Sequence, residues 1–251
     1  MGKNWHDFNF YGKSGVGGTQ NSDGSVTVPG SGATSISTAV QDASKPNAWG
    51  GTAFGGGGYF EATFSFTGAN NNTLTAWPAY WANDIENMSQ NAVTALTQWP
   101  GQATGYGSWI ETDFFEYDHW NTGQYGIQIH NWYGKYGSIS DVRSFSSAIN
   151  VPAGFNWSDP HKYGFLWVPA TSGAKGYAKM FLDDVQVGPT VYWDEYSPNA
   201  PTPPPPVAGT TAVSMLDTRH LALIFETGTQ NPMTVYSVAV WQASAAHNIT
   251  Q

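Results

Sequence analysis

The sequence predicts an all-β chain, a sandwich of two packed antiparallel sheets forming one domain over residues 1–251. Three observations carry this. Short segments alternate apolar and polar residues with the period of a strand, and no stretch keeps a helical period. Clusters of Gly, Asn, Ser and Pro separate those segments, in a chain holding 29 Gly and 15 Pro. Aromatic residues make up 15% and charged residues only 11% of 251 residues, which supplies a core and excludes a disordered chain.

Along the chain, YFEATFSF (59–66), IETDFFEY (110–117), YGIQIHNW (125–132) and KYGFLWV (162–168) alternate and read as strands with one face in the core. YAKMFLDDVQVG (177–188) reads as a hairpin turning at Asp183-Asp184. HLALIFE (220–226) and MTVYSVAVW (233–241) are apolar and long enough for core strands. PTPPPP (201–206) favours stiff polyproline II, but only two strong strands follow it. Two strands do not make a domain, so the run is expected to be a long loop on the single domain.

Composition excludes several functions. Nine Lys+Arg against 18 Asp+Glu give a net charge of −9, the wrong sign for displacing counterions from nucleic acid. No segment approaches the ~18 uninterrupted apolar residues of a membrane-spanning helix. With no Cys there is no disulfide, thiolate nucleophile or Cys-ligated zinc. The six His form no H-E-x-x-H pattern, so no zinc is expected. Gly55-Gly56-Gly57-Gly58 opens a strand and lacks the Lys-Ser/Thr of a phosphate loop, and there is no G-x-S-x-G elbow. The N-terminal MGKNWHDFNF has no apolar signal-peptide run, so the compartment is an inference from function.

The chemistry concentrates in WIETDFFE, residues 109–116. In a regular strand Trp109, Glu111 and Asp113 project from one face, whereas Glu116 has the opposite parity. One extra residue bulging out near Phe114-Phe115 would bring Glu116 onto that face. The Cα atoms of Glu111 and Glu116 would then lie on the order of 13 Å apart. Side chains leaning together would bring their carboxyls to about 5–6 Å, near the separation at which retaining glycosidases pair a nucleophile with an acid/base. Asp113 between them would raise a neighbour's proton affinity. The same residues also fit a solvated acidic face on an edge strand, or a divalent-cation site.

ETDFFEY resembles the E-x-D-x-x-E signature of glycoside hydrolase family 16 in its bulged, laminarinase-like form. GGYFEATFSF (57–66), WPAYW (77–81), HKYGFLWVPA (161–170), YAKMFLDDVQVG (177–188) and PMTVYSVAVWQ (232–242) resemble further family segments in the same order. The resemblance implies a concanavalin-like jelly roll of two curved antiparallel sheets with substrate across the concave face. It implies Glu111 as nucleophile, Glu116 as general acid/base and Asp113 as the residue that tunes and positions the nucleophile. The implied reaction is double displacement at a β-glycosidic bond with retention, by a secreted or periplasmic protein expected to be a monomer. Two positions depart from the family. Tyr236 stands where an Asp often helps hold a structural Ca²⁺, so neither calcium nor any other cofactor is expected. Glu226 stands where a small or amide residue is usual, and reads either as a surface charge or as a hydrogen-bond acceptor for substrate.

Aromatic side chains offer rigid faces to the C–H faces of sugars. Trp77 and Trp81, four apart, are expected on one strand face, Trp109 beside Glu111 by parity, and Trp120 and Trp132 in the next turn and strand. His130 resembles the family's cleft histidine; core packing is the competing reading for each Trp, and a structural role for the His. With only Arg143 and Arg219 in a −9 background, a sulfated polymer is disfavoured and a neutral β-1,3- or β-1,3/1,4-glucan is the expected substrate. A lectin-like binding module, a transglycosylase and a hydrolase of a galactan such as agar are the alternatives.

Overall fold

The computed structural model describes residues 5–7, 17–30, 35–41, 49–69, 73–88, 106–117, 123–135, 138, 140–195, 212–228, 230–243 and 248–250. In chain order the strands are β1 (His6–Asp7), β2 (Thr19–Gln20), β3 (Val26–Val28), β4 (Ser35–Ser37), β5 (Ala39–Gln41) and β6 (Trp49–Gly55). There follow β7 (Gly58–Phe66), β8 (Ala79–Asp84), β9 (Tyr106–Glu116), β10 (Gln124–Lys135), β11 (Ser140–Asn150) and β12 (His161–Val168). The last are β13 (Gly176–Leu182), β14 (Val185–Trp193), β15 (His220–Glu226), β16 (Met233–Trp241) and β17 (Asn248–Thr250). One short helix, α1 (Ile85–Met88), and a 3-10 helix (Ala212–Thr218) complete the described elements. No described helix is long and apolar enough to cross a membrane.

Two antiparallel sheets form. The larger runs β1-β4-β15-β8-β9-β10-β11, with β6 joining β15 to β5 and β17; the smaller runs β14-β13-β12-β7-β16-β3-β2. Alternation assigns the faces. In β7, Phe60, Ala62, Phe64 and Phe66 are buried between the sheets, while Tyr59, Glu61 and Thr63 face outward. Aromatic pairs fill the interior. Phe64 stacks on Tyr163 at 4.3 Å, Phe114 on Phe165 at 4.5 Å and Tyr80 on Phe225 at 4.6 Å.

All seven segments read as strands from the sequence are strands. The 177–188 hairpin turns at Asp183 and Asp184, whose φ of 48° and 67° suit a two-residue hairpin turn. The run at 201–206 lies outside the described residues. Strand β8 escaped the alternation signal because both its faces are covered. Tyr80 and Ala82 enter the main core, whereas Ala79 and Trp81 join a second cluster with Ala39, Trp49, Ala53, Ile85, Ala222 and Ile224. Tyr236 occupies a bulge of β16, with its hydroxyl 3.1 Å from Ser65 Oγ.

Two carboxylates, Asp217 half-buried and Asp84 fully buried, tie the elements together. Asp217 accepts hydrogen bonds from Trp167 Nε1 (2.8 Å), Trp193 Nε1 (2.7 Å) and Ala170 N (2.9 Å), fixing the 3-10 helix to β12 and β14. Asp84 accepts one from Ile110 N at 3.1 Å and lies 3.3 Å from Arg219 Nε, with both side chains buried. That contact holds the outer end of β8 to β9 just before the acidic segment.

Phe115 touches Phe64, Tyr163, Tyr125 and Trp157 at centroid distances of 5.5, 4.9, 5.1 and 5.7 Å. Phe115→Ala is expected to cost about 3–5 kcal/mol, read as a lower urea midpoint. Val185→Ala, at a 65% exposed position, should move the midpoint by no more than about 0.5 kcal/mol.

Candidate active site

The bulge expected near Phe114-Phe115 is present. Against β8, Phe115 pairs with Tyr80 and Asp113 with Trp81, leaving Phe114 without an opposite residue. Against β10, Glu116 pairs with Gly126 and Asp113 with Gln128, so three steps on β9 match two on β10. Phe114 and Phe115 both enter the core. Burying two consecutive large rings is what favours the extra residue, each worth roughly 1.5–3 kcal/mol. Glu116 thereby turns to the face that carries Trp109, Glu111 and Asp113.

Directly paired residues of neighbouring strands share a face. One row runs Ala222, Asn83, Glu111, His130; the next runs Ile224, Trp81, Asp113, Gln128; a third runs Glu226, Ala79, Glu116, Gly126. The three acids therefore line the outward face of the larger sheet, with Glu226 two strands, about 10 Å of backbone, from Glu116. Glu226 is thus on the face of the acids and not on an unrelated surface.

Each acid has a named partner. Glu111 Oε2 accepts a hydrogen bond from Trp132 Nε1 at 2.8 Å. Asp113 Oδ2 lies 3.1 Å from His130 Nε2, and both groups are buried. Glu116 accepts hydrogen bonds from Trp77 Nε1 (2.6 Å) and from Gln128 Nε2. Trp132 stacks on Trp109 at 5.7 Å and 16°, and His130 stacks on Trp132 at 5.9 Å. Burial first, and then the neighbouring Asp113 charge, push Glu111 up to about 8, although His130 and the Trp132 bond oppose this. Glu111, Asp113 and His130 each offer a ligand atom within 4.8 Å of the others, so this is also where a divalent ion could be held.

The sequence-predicted binding residues divide. Trp109, His130 and Trp132 adjoin the acids as expected. Trp77 precedes β8 instead of sharing its face with Trp81; it is 54% exposed and reaches Glu116 through its indole N–H. Trp81 shares the row of Asp113 but is only 4% exposed, packed in the second cluster, so it gives no open platform. Trp120 lies outside the described residues. Gln128 was not singled out from sequence, though its parity with His130 and Trp132 in YGIQIHNW carried the signal. Asn83, fully buried beside Glu111 in its row, was also missed.

No family model matches the chain, and no curated protein matches it in sequence. Solved structures do match in fold. One is a mutant of SCLam, a non-specific endo-β-1,3(4)-glucanase of family GH16 crystallised with 1,3-β-D-cellotriosyl-glucose. It has a TM-score of 0.51 and 14% identity, covering 95% of this chain and 88% of that one. Another is the κ-carrageenase of Pseudoalteromonas carrageenovora, in complex with an oligotetrasaccharide of κ-carrageenan. Its TM-score is 0.50 at 15% identity, covering 96% of each chain. At these identities the likeness establishes the jelly-roll fold.

The raised Glu111 value fixes the sign of a pH effect. The folded state holds the Glu111 proton more tightly than the unfolded state, where the carboxyl keeps its ordinary value of about 4.5. As pH rises from about 4.5 towards about 8, the unfolded chain releases that proton first and stability falls. Urea unfolding at pH 5 and pH 8 should show a larger loss in the wild type than in Glu111→Gln. Equal losses would mean that Glu111 titrates normally.

Proposed function

We propose that the protein is a retaining glycoside hydrolase that cuts within neutral β-1,3- or mixed β-1,3/1,4-glucan chains. The observation that carries this is the bulge of β9, which puts Glu111, Asp113 and Glu116 on one outward face beside Trp109, Trp132 and Trp77. The fold shared with glycan-cutting enzymes agrees with it. In this reading Glu116 protonates the leaving oxygen while Glu111 attacks the anomeric carbon. Glu116 then removes a proton from water, which releases the glycosyl group from Glu111. Glu111 must lose its own proton before attack, and Asp113 on the same face is the adjacent acceptor. The Trp132 N–H holds Glu111 in place, and His130 steadies Asp113. No metal enters these steps.

Charge supports a neutral substrate. Arg219 is buried beside Asp84, which withdraws it from any sulfate, and the protein carries −9 overall. Action on a polymer outside the cell accords with a secreted or periplasmic monomer.

One observation favours the opposite division of roles. Glu116 receives two N–H donors, which favour an ionised carboxylate, whereas Glu111 retains its proton as an acid should. Azide separates the two assignments. With an activated aryl β-glycoside, Glu111→Ala should yield the α-glycosyl azide if Glu111 is the nucleophile, because azide then attacks from the emptied nucleophile side. Glu116→Ala should yield the β-azide. The reverse pattern would exchange the roles.

The primary test is a reducing-end assay on laminarin, barley mixed-linkage glucan, agarose and carrageenan. Activity is expected on a neutral glucan, falling at least about a thousandfold in Glu111→Gln. Faster cleavage of agarose or carrageenan would overturn the substrate class. Products longer than the substrate would identify a transglycosylase. Binding without cleavage in both proteins would identify a carbohydrate-binding module.

A further inference from the structure

Four of the five large hydrophobic side chains most exposed among the described residues lie on the smaller sheet, on the side of the sandwich opposite the acids. These are Trp241 and Tyr192, each 54% exposed, with Tyr236 and Val185. Met180, Phe165 and Phe60 fill the inner face of that sheet, so the alternate residues of β13, β12 and β7 must point outward. Trp241 pairs with Tyr59, Tyr59 with Leu166 and Leu166 with Lys179; one step along, Tyr177 pairs with Tyr192. The rings are in contact: Trp241 lies 5.7 Å from Tyr59, Tyr59 lies 5.7 Å from Phe181, and Tyr177 lies 6.1 Å from Tyr192. The strip crosses five strands from β16 to β14, a width of about 19 Å.

Patches of this kind mark interaction sites, and the polar groups here narrow the occupant. Tyr59 Oη donates to Glu61 at 3.2 Å, Lys162 pairs with Asp184 at 3.0 Å, and His161 Nδ1 lies 2.8 Å from Asp183. Lys179 Nζ sits 5.7 Å from the centre of the Tyr177 ring. Among the described residues, the cations Lys162 and Lys179 on this face are engaged by Asp184 and the Tyr177 ring, which leaves no cationic cluster there for a polyanion. Rings interleaved with hydrogen-bonding groups suit a ligand whose own faces are apolar and whose edges carry hydroxyls. A Cβ at Gly164 would collide with Tyr59 Oη, so glycine there leaves room for Tyr59 to lie over β12.

We infer that the Trp241–Tyr59–Tyr177–Tyr192 strip is a second carbohydrate-binding surface that holds a neutral polysaccharide on the face opposite the acids. It would keep the protein on an insoluble polymer while the other face engages a chain, and it would bind whether or not that face cuts.

The test uses Glu111→Gln, to prevent cleavage, with its acidic face saturated by a soluble β-1,3-gluco-oligosaccharide. Retention on particulate β-1,3-glucan and on microcrystalline cellulose is then measured. Adding Trp241→Ala and Tyr192→Ala, singly and together, should weaken retention on at least one polymer, about tenfold for the pair. In the otherwise wild-type protein the pair should leave turnover of a short soluble oligosaccharide unchanged. Thermal melting confirms that the variants fold, as expected for residues more than half exposed. Unchanged retention in the folded double variant overturns the inference, as does absence of retention on both polymers. So does a dimer of the parent that the double variant abolishes, since the strip would then be a subunit contact. Retention without cleavage by the wild type would remove the hydrolase reading and leave this one standing; cleavage without retention would do the reverse.

Discussion

Two consecutive phenylalanines in one strand cannot both enter the same core in a regular pleat, because successive side chains point to opposite faces. Phe114 and Phe115 nevertheless both reach the core, touching Phe165 at 4.5 Å and Tyr163 at 4.9 Å. The backbone accommodates them by a bulge, and the bulge shifts the parity of everything beyond it. Glu116 is thereby rotated onto the face of Glu111 and Asp113. The site thus depends on hydrophobic burial on the opposite side of the same strand, and core packing and acid placement are one constraint seen from two faces. Small neighbours make the arrangement workable: Ala79 and Gly126 flank Glu116 in its row and leave room beside its carboxylate.

Placing three carboxylates on a sheet backed by an apolar core carries an electrostatic cost. The surrounding side chains offset it unequally. Glu116 receives an indole and an amide N–H, Asp113 faces an imidazole, and Glu111 has a single indole donor in an environment that disfavours its charge. The result is one acid, Glu111, whose proton affinity is raised by burial and by Asp113, beside two carboxylates with polar partners of their own on the same short stretch of strand. Tryptophan supplies much of this, since Trp77 and Trp132 each join a donor N–H to an apolar ring. The same residues that can stack on a sugar also fix the carboxylates.

The parts of this structure legible in the sequence are those governed by period. The alternation of β7, β9, β10 and β12 and the hairpin at Asp183-Asp184 follow from residue order alone, and the parity conflict at Glu116 pointed to the bulge. What stayed hidden was decided by contacts between distant segments. Strand β8 shows no alternation because the β5–β6 layer covers one face and the main core the other, and that covering buries Trp81. Trp77 was read as a strand residue, but Ala76 has φ of 66° and Pro78 follows, so the chain turns there and β8 starts only at Ala79. Gln128 escaped notice because an amide has no motif of its own, and its role appears only once Glu116 faces it.

The covering layer also shapes where a polymer can lie. Ala39, Trp49 and Ala53 pack over Ala222, Ile224 and Trp81, closing that part of the larger sheet's outward face to a ligand. Among the described residues, the accessible aromatic groups near the acids are then Trp109 and Trp132 on one side and Trp77 on the other. A chain passing over Glu111 and Glu116 would run between these groups, and Glu226 lies beyond Ala79 on the Trp77 side. A carboxylate there accepts hydrogen bonds from hydroxyls but repels sulfate or uronate groups. The charge of Glu226 thus makes its side of this face more favourable to a neutral group than to an anionic one.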